Sequence, residues 1–189
     1  MHAGAWWGAA FYVTVATWIV LEVRQARRTR EGATASDRNS RVAVALGEIG
    51  GWIIAINGPS LAPALSWRGH GWIAAGLVVW WCGIALRAWS FRTLGHYFTF
   101  VVMTSHDQPV IDSGPYRIVR HPSYLAIELC MVGVGLTFSN PVSLVGATLA
   151  TLVGLVVRIR VEEEALHAAL GNRYGDFCRT RKRLVPFVW

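Results

Sequence analysis

Charge is what this 189-residue chain has least of: Asp, Glu, Lys and Arg together make 15% of it, against 53% hydrophobic residues. A soluble domain carries about 25% charged residues, and a chain of 20.8 kDa with mean hydropathy +0.38 and ten tryptophans cannot hide so much apolar surface inside one globule. A water-soluble single domain is excluded. Cysteine is scarce too. Cys82, Cys130 and Cys178 are odd in number and lack C-x-x-C spacing, so neither a disulfide frame nor a thiolate metal site is encoded, and Cys82 and Cys130 are expected as small residues of the membrane core. No secretory signal is recognisable, because the only ionisable side chain before the first apolar run is His2; that run is expected to be a retained anchor. No repeat recurs at a fixed period. Gly133-Val134-Gly135 lacks a preceding strand and a third glycine, which excludes a dinucleotide fingerprint.

What is present is a series of apolar runs separated by arginine. The first, residues 6–23, would reach roughly 27 Å as a helix, close to the hydrocarbon thickness. Residues 24–41 hold six arginines and no apolar period, and are expected to form a solvated cationic loop. A second run, 42–65, contains Asn57, Gly58, Pro59 and Pro63, which suggest a frayed or re-entrant end. After a short turn at 66–70, a third run, 71–86, is expected to be closed by Arg87 and Arg92. The polar stretch 92–122 carries turn signals at Gln108-Pro109 and Ser113-Gly114-Pro115. Runs 123–138 and 142–157, joined by Ser139-Asn140-Pro141, read as a helical hairpin. The charged remainder, 158–182, spaces Leu166, Leu170, Tyr174 and Phe177 as one face of an amphipathic helix folding back on the rest.

The expected fold is therefore an all-α integral membrane protein of about five transmembrane helices with a cytoplasmic C-terminal amphipathic helix. Residues 1–91 form three N-terminal spans with a basic loop, and 92–189 form a cofactor-binding region, in one structural domain. With the N-terminus outside, 17 of the 18 basic residues are cytoplasmic and only Arg68 is not. The +7 charge reads as membrane-flanking charge rather than a nucleic-acid surface.

Polar side chains concentrate at Arg117, Arg120, His121 and Tyr124, and at Glu162, Glu163 and Glu164. If a helix begins at Pro122, His121, Tyr124 and Glu128 share a face, and the hairpin returns Arg158 and the Glu run to the same membrane surface. Taken singly these are ordinary features: arginines anchor helix ends, a Glu run is a solvated face, and tyrosine belongs to the aromatic belt. Glu48 and Glu128 differ, since ionisable groups within spans are rare and often functional, although Glu48 lies close enough to the end of its run to snorkel. Gly47 and Gly51 are spaced for close helix packing.

Read as a string, the cluster is Gly114-Pro115-Tyr116-Arg117-Ile118-Val119-Arg120-His121-Pro122-Ser123-Tyr124, then Glu162-Glu163 with Leu166, Gly171 and Tyr174, and finally Leu184-Val185-Pro186. This resembles the isoprenylcysteine carboxyl methyltransferase family and its bacterial and phospholipid methyltransferase-like relatives. Their pattern runs G-P-Y-x-x-x-R-H-P-x-Y, an apolar hairpin, E-E-x-x-L and G-x-x-Y before a proline. Leu94-Gly95-His96-Tyr97-Phe98 is similar to the group's L-G-x-x-F element. The sequence departs from the pattern at Ala126, Gln108 and Phe177, where the family usually has glycine, histidine and a second tyrosine.

The resemblance implies a membrane methyltransferase that uses S-adenosylmethionine and binds it on the cytoplasmic side, in a bacterial inner membrane. Arg120 and His121 suit the cofactor's carboxylate, and Glu162 or Glu163 its ammonium group. Tyr116, Tyr124 and Tyr174 suit the adenine or the sulfonium. Arg158 suits orientation of an acidic acceptor, as the catalytic side chain. The implied acceptor is a lipophilic small molecule bearing a carboxylate, thiol or amine, prenylcysteine-like among the options, reached through membrane lipids. A NADPH-dependent sterol-type reductase, with Arg117 and Arg120 serving phosphates, and a non-enzymatic membrane scaffold are the competing readings.

Overall fold

The computed structural model describes residues 3–26, 34–35, 39–97, 103–104, 109–185 and 189. Six helices follow one another: α1 (Ala3–Ala26), α2 (Ser40–Leu61), α3 (Gly71–Leu94), α4 (Pro122–Thr137), α5 (Pro141–Leu170) and α6 (Asn172–Thr180). Two-residue strands β1 (Thr34–Ala35) and β2 (Met103–Thr104) pair antiparallel. The loop expected at 24–41 is thus shorter than its run, since α1 continues through Ala26 and α2 begins at Ser40, and it carries this pairing; most of its remainder, Phe98 and the Gln108 half of the Gln108-Pro109 turn lie outside the described residues.

Four helices, α1, α2, α3 and α5, are long and apolar enough to cross a membrane, and α4 is a shorter apolar helix of 16 residues. Of the five expected spans, the one at 123–138 is this shorter helix, which is not among the four long enough to cross. Exposed residues such as Tyr12, Val20, Leu46, Ile53, Val78 and Val153 leave an apolar outer surface, the pattern of helices solvated by lipid.

Two helix pairs dominate the packing, α2 with α5 and α3 with α4, and the α4–α5 hairpin joins them. Gly47 and Gly51 make the first pair close, as their spacing suggests. A Cβ on Gly47 would come within 2.7 Å of the Ala150 carbonyl oxygen, and one on Gly51 within 3.0 Å of that of Ala147. Where the four helices meet, Trp80 is buried with Ala55, Ile84, Met131, Val134 and Ala147. Phe11 brings α1 to this core through an edge-on contact with Trp80, ring centres 5.7 Å apart.

Four sequence expectations are corrected. The second run is not frayed at Asn57–Pro59, because α2 continues to Leu61 with Pro59 inside it, in its last turn. Proline there forfeits only one intrahelical bond. The third run does not close at Arg87, which lies buried inside α3 two turns before its end. Nor does the hairpin end at Val157. Residues 158–170 contain good helix formers and no Gly or Pro, so α5 runs unbroken for 30 residues and carries Arg158, Glu162 and Glu163 on its extension. The break falls at Gly171, with φ 55° and ψ −129°, a conformation that only glycine adopts readily. The expected apolar face survives the break: Leu170, Tyr174 and Phe177 are buried together with Leu166 beside them. Finally, Cys130 is buried but Cys82 is exposed on the outer face of α3.

The hairpin turn forms as its residues suggest. Asn140 accepts from the Val142 amide at 2.9 Å and donates to the Ala62 carbonyl at 2.9 Å, capping α5 and tying it to the end of α2.

Candidate functional site

Gly114–Arg117 form a single 3-10 turn, after which the chain runs extended into α4. There it is clamped by the C-terminal segment: the Arg120 amide donates to the Lys182 carbonyl at 2.8 Å, and the His121 amide to that of Arg183 at 3.0 Å. Pro122 occupies the first turn of α4, where its missing N–H costs nothing, and His121 stands before it with its side chain free of any capping role. The imidazole instead reaches the extension of α5.

Glu163 is the centre of the cluster. Its Oε1 meets Arg120 at 2.7 Å and His121 Nε2 at 3.2 Å, and its Oε2 accepts from Arg183 Nε at 2.8 Å. The carboxylate is 5% exposed, so three basic side chains from two segments converge on one buried anion. Next to it, Tyr124 donates its phenol proton to Glu162 at 2.5 Å and accepts from Arg158 Nε at 3.0 Å. Arg158, also buried, donates to Ser40 Oγ at 2.8 Å. The His121 and Tyr124 rings stack with centres 5.6 Å apart. All of this sits where α4 begins and α5 leaves the apolar bundle.

Tyr174 closes one side. Its ring packs edge-on against His167 and beside Phe177, and burial, reinforced by the Glu163 carboxylate, pushes its phenol well above the usual range. The phenol is therefore a donor, and it has no hydrogen-bond partner among the described residues; neither has Arg120 Nε. Tyr116 is buried beneath the cluster, its phenol likewise pushed up by burial. Among the residues read from the sequence, Arg120, His121, Tyr124, Arg158, Glu162 and Glu163 thus form one connected network, and Tyr116 and Tyr174 border it.

Glu128 does not join the network. It shares the face of His121 and Tyr124, but both its oxygens are buried without a hydrogen-bond partner among the described residues. Glu48 lines a cavity with Trp18, Trp52 and Trp80 instead of reaching the interface. Ala126 is fully buried, and Phe177 occupies the cluster beside Tyr174. Sequence reading missed three partners: Arg183, Ser40, and Glu22, which pairs with Arg87 at 2.9 Å. The signal for Glu22 was available, since it is an acid within an apolar run. Ser40 and Arg183 carry no local signal.

A profile of the isoprenylcysteine carboxyl methyltransferase (ICMT) family matches residues 74–168. Protein-S-isoprenylcysteine O-methyltransferase A of Arabidopsis thaliana is 30% identical over 122 residues, 63% of this chain and 62% of its own length. The Xenopus laevis protein-S-isoprenylcysteine O-methyltransferase is 31% identical over 120 residues, covering 62% of this chain and 42% of its own. The matches therefore span less than two thirds of these relatives. In three dimensions the chain is similar to the eukaryotic intramembrane Ras methyltransferase ICMT, with TM-score 0.64 and 27% identity over 76% of this chain and 52% of that one. The matched residues run from α3 to the end of the α5 extension and so contain His121, Tyr124, Arg158 and Glu163. By fold, and by a family profile that covers half of its length, the chain is an integral membrane protein that belongs to the isoprenylcysteine carboxyl methyltransferase family.

Proposed function

We propose that the chain is an S-adenosylmethionine-dependent methyltransferase acting on a lipophilic acceptor, with a carboxylate on a prenylcysteine-like molecule as the first choice. The observation that carries the reading is the buried network in which two arginines and a histidine meet Glu163, beside the Arg158–Tyr124–Glu162 relay. Its residue types fit the cofactor. Arg120 Nε and Tyr174 Oη are buried polar atoms with no partner among the described residues, a supply of donors for an anionic, polar ligand. Glu162, 29% exposed at its side chain, is the available anion for an ammonium group, because both oxygens of Glu163 are taken. When bound, S-adenosylmethionine supplies a methyl group on a positively charged sulfur.

The roles of the side chains follow from their contacts. Glu163 holds Arg120, His121 and Arg183 in place and offsets the like charges of the two arginines. Arg120 and His121 then offer their remaining N–H groups to the cofactor's carboxylate. Tyr124 ties Glu162 to Arg158, so that the cofactor side and the acceptor side share one rigid link. Arg158, at the end of the apolar part of α5, orients an acidic acceptor that enters sideways from the bilayer. Acceptor anion and sulfonium both lose charge as the methyl group moves, and a site that excludes water favours that step. The arginine-rich flanks support a cytoplasmic position for this face, in a bacterial host on the inner membrane. Equilibrium binding to purified protein tests the cofactor: S-adenosylhomocysteine binds and NADPH does not. Preference for NADPH would install the reductase reading instead.

A further inference from the structure

Arg87 is 3% exposed, deep in α3, and spends its whole guanidinium on two other helices. Its Nε and Nη2 donate to the two oxygens of Glu22 on α1, at 2.9 and 3.1 Å. Its Nη1 donates to the Ser123 carbonyl at 3.0 Å and to the Ser123 hydroxyl at 2.5 Å. The rings of Phe91 and Trp18 flank it, 4.7 and 5.8 Å from the guanidinium carbon. Ser123 is the second residue of α4 and stands between His121 and Tyr124, the two site residues that stack on each other.

We propose that Glu22 is a positioning residue for the site: through Arg87 it fixes the first turn of α4, and with it the directions of His121 and Tyr124. The physical reason is the cost of a guanidinium among apolar helices. Such a charge stays there only when it is paired and its donors are satisfied. Glu22 supplies the charge and a bidentate seat for one edge of the planar fork, and that seat aims the remaining nitrogen at Ser123. Without Glu22 the long side chain would turn toward water at the membrane surface, and Ser123 would lose both contacts. The turn is clamped from one side by the C-terminal segment, through the Arg120 and His121 amides. Arg87 is the clamp from the other side. Helix α1 lies outside the segment matched by the family profile, and through Arg87 it reaches the first turn of α4, which lies inside that segment.

The proposal rests on the reading of the site as a cofactor pocket only for its binding readout. The test compares Glu22→Ala, Glu22→Gln and, as a packing control on the same helix, Phe11→Leu, all in the full chain in detergent. Hydrogen exchange at the amides of 120–125 reports the turn directly, and S-adenosylhomocysteine titration reports the pocket. Glu22→Ala should speed exchange there and weaken binding by about 10-fold each, a loss of about 1.4 kcal/mol. Glu22→Gln, which keeps an acceptor for Arg87, should recover most of both and serves alone if the alanine variant does not fold, with a loss of about 3-fold expected, about 0.6 kcal/mol. Phe11→Leu should lower thermal stability with neither effect. Wild-type exchange in both Glu22 variants, or the same exchange and binding losses in Phe11→Leu, overturns the proposal. If the unaltered protein binds no S-adenosylhomocysteine, the cofactor reading fails, and the exchange data still decide whether Glu22 positions the turn.

Discussion

Replacing Glu163 by glutamine keeps the size of the side chain and removes the one anion on which Arg120, His121 and Arg183 converge. Three things change at once. The charge that balances the two arginines is gone, one of the two oxygens becomes an NH2 facing a basic side chain, and Arg120, His121 and Arg183 are left to share a single neutral oxygen. Removing one partner of a buried ionic cluster costs about 3 to 5 kcal/mol. For a chain of this length each kcal/mol lowers the melting temperature by about 2 to 4 °C, so the midpoint should fall by roughly 6 to 20 °C. The ten tryptophans make intrinsic fluorescence on heating in detergent a sufficient assay. S-adenosylhomocysteine binding should fall roughly 30-fold, matching the loss of about 2 kcal/mol of charge-assisted contact. The control is Glu164→Ala, one residue further along α5 and exposed, which should move neither quantity beyond error. A midpoint for Glu163→Gln within about 2 °C of the unaltered protein would refute the reasoning, because it would mean that the two arginines and His121 do not need this anion. Equal losses in both variants would assign the effect to general charge.

Three further outcomes are expected. Tyr124→Phe removes the hydroxyl that links Glu162 to Arg158 and should lower methyl transfer by about 10- to 100-fold, the equivalent of one or two charge-assisted bonds, while S-adenosylhomocysteine binding changes less than 5-fold, about 1 kcal/mol; equal losses in both would show that the link serves the cofactor alone. Gly47→Val places a side chain where a Cβ already meets the Ala150 carbonyl oxygen at 2.7 Å, and forcing α2 from α5 should cost about 1 to 3 kcal/mol, read as a drop in thermal midpoint. A cysteine at Thr34 should react with an impermeant reagent only after cells are permeabilised, and labelling in intact cells would reverse the proposed orientation.

Much of the architecture was legible because a membrane forces simple rules on sequence. The apolar runs became helices at their expected places; Pro122 marked the start of α4 to the residue, and α5 begins at Pro141, one residue before the run expected from 142. Length was harder to read. The sequence changes from apolar to charged at Arg158, but a helix is ended by backbone chemistry and not by polarity, so α5 runs on to Gly171. Pro59 looked like a break and lies inside α2, where the Ala55 carbonyl that it leaves without an amide donor accepts from Ser143 Oγ at 2.7 Å. At the site, spacing brought His121, Tyr124 and the Glu run together correctly. It could not show that Glu163 is enclosed by Arg183 from beyond α6, or that Arg158 is seated on Ser40, 118 residues earlier. Such partners are set by how helices stack. Arg87 illustrates the same limit, since its arginine reads locally as a helix-end anchor and becomes a buried link only once α1 and α4 lie against it.

Methyl transfer to a prenylcysteine analogue is the most direct test of the proposed activity. Purified protein in lipid vesicles, given S-adenosylmethionine labelled in its methyl group, should move the label into the organic phase as a methyl ester, which mild alkali releases as volatile methanol. Arg158→Ala should abolish the transfer while S-adenosylhomocysteine still binds. Label that stays in water-soluble acceptors, or no transfer to this analogue or to a host-lipid extract by a protein that binds S-adenosylhomocysteine, would contradict methylation of a lipophilic acceptor at this site.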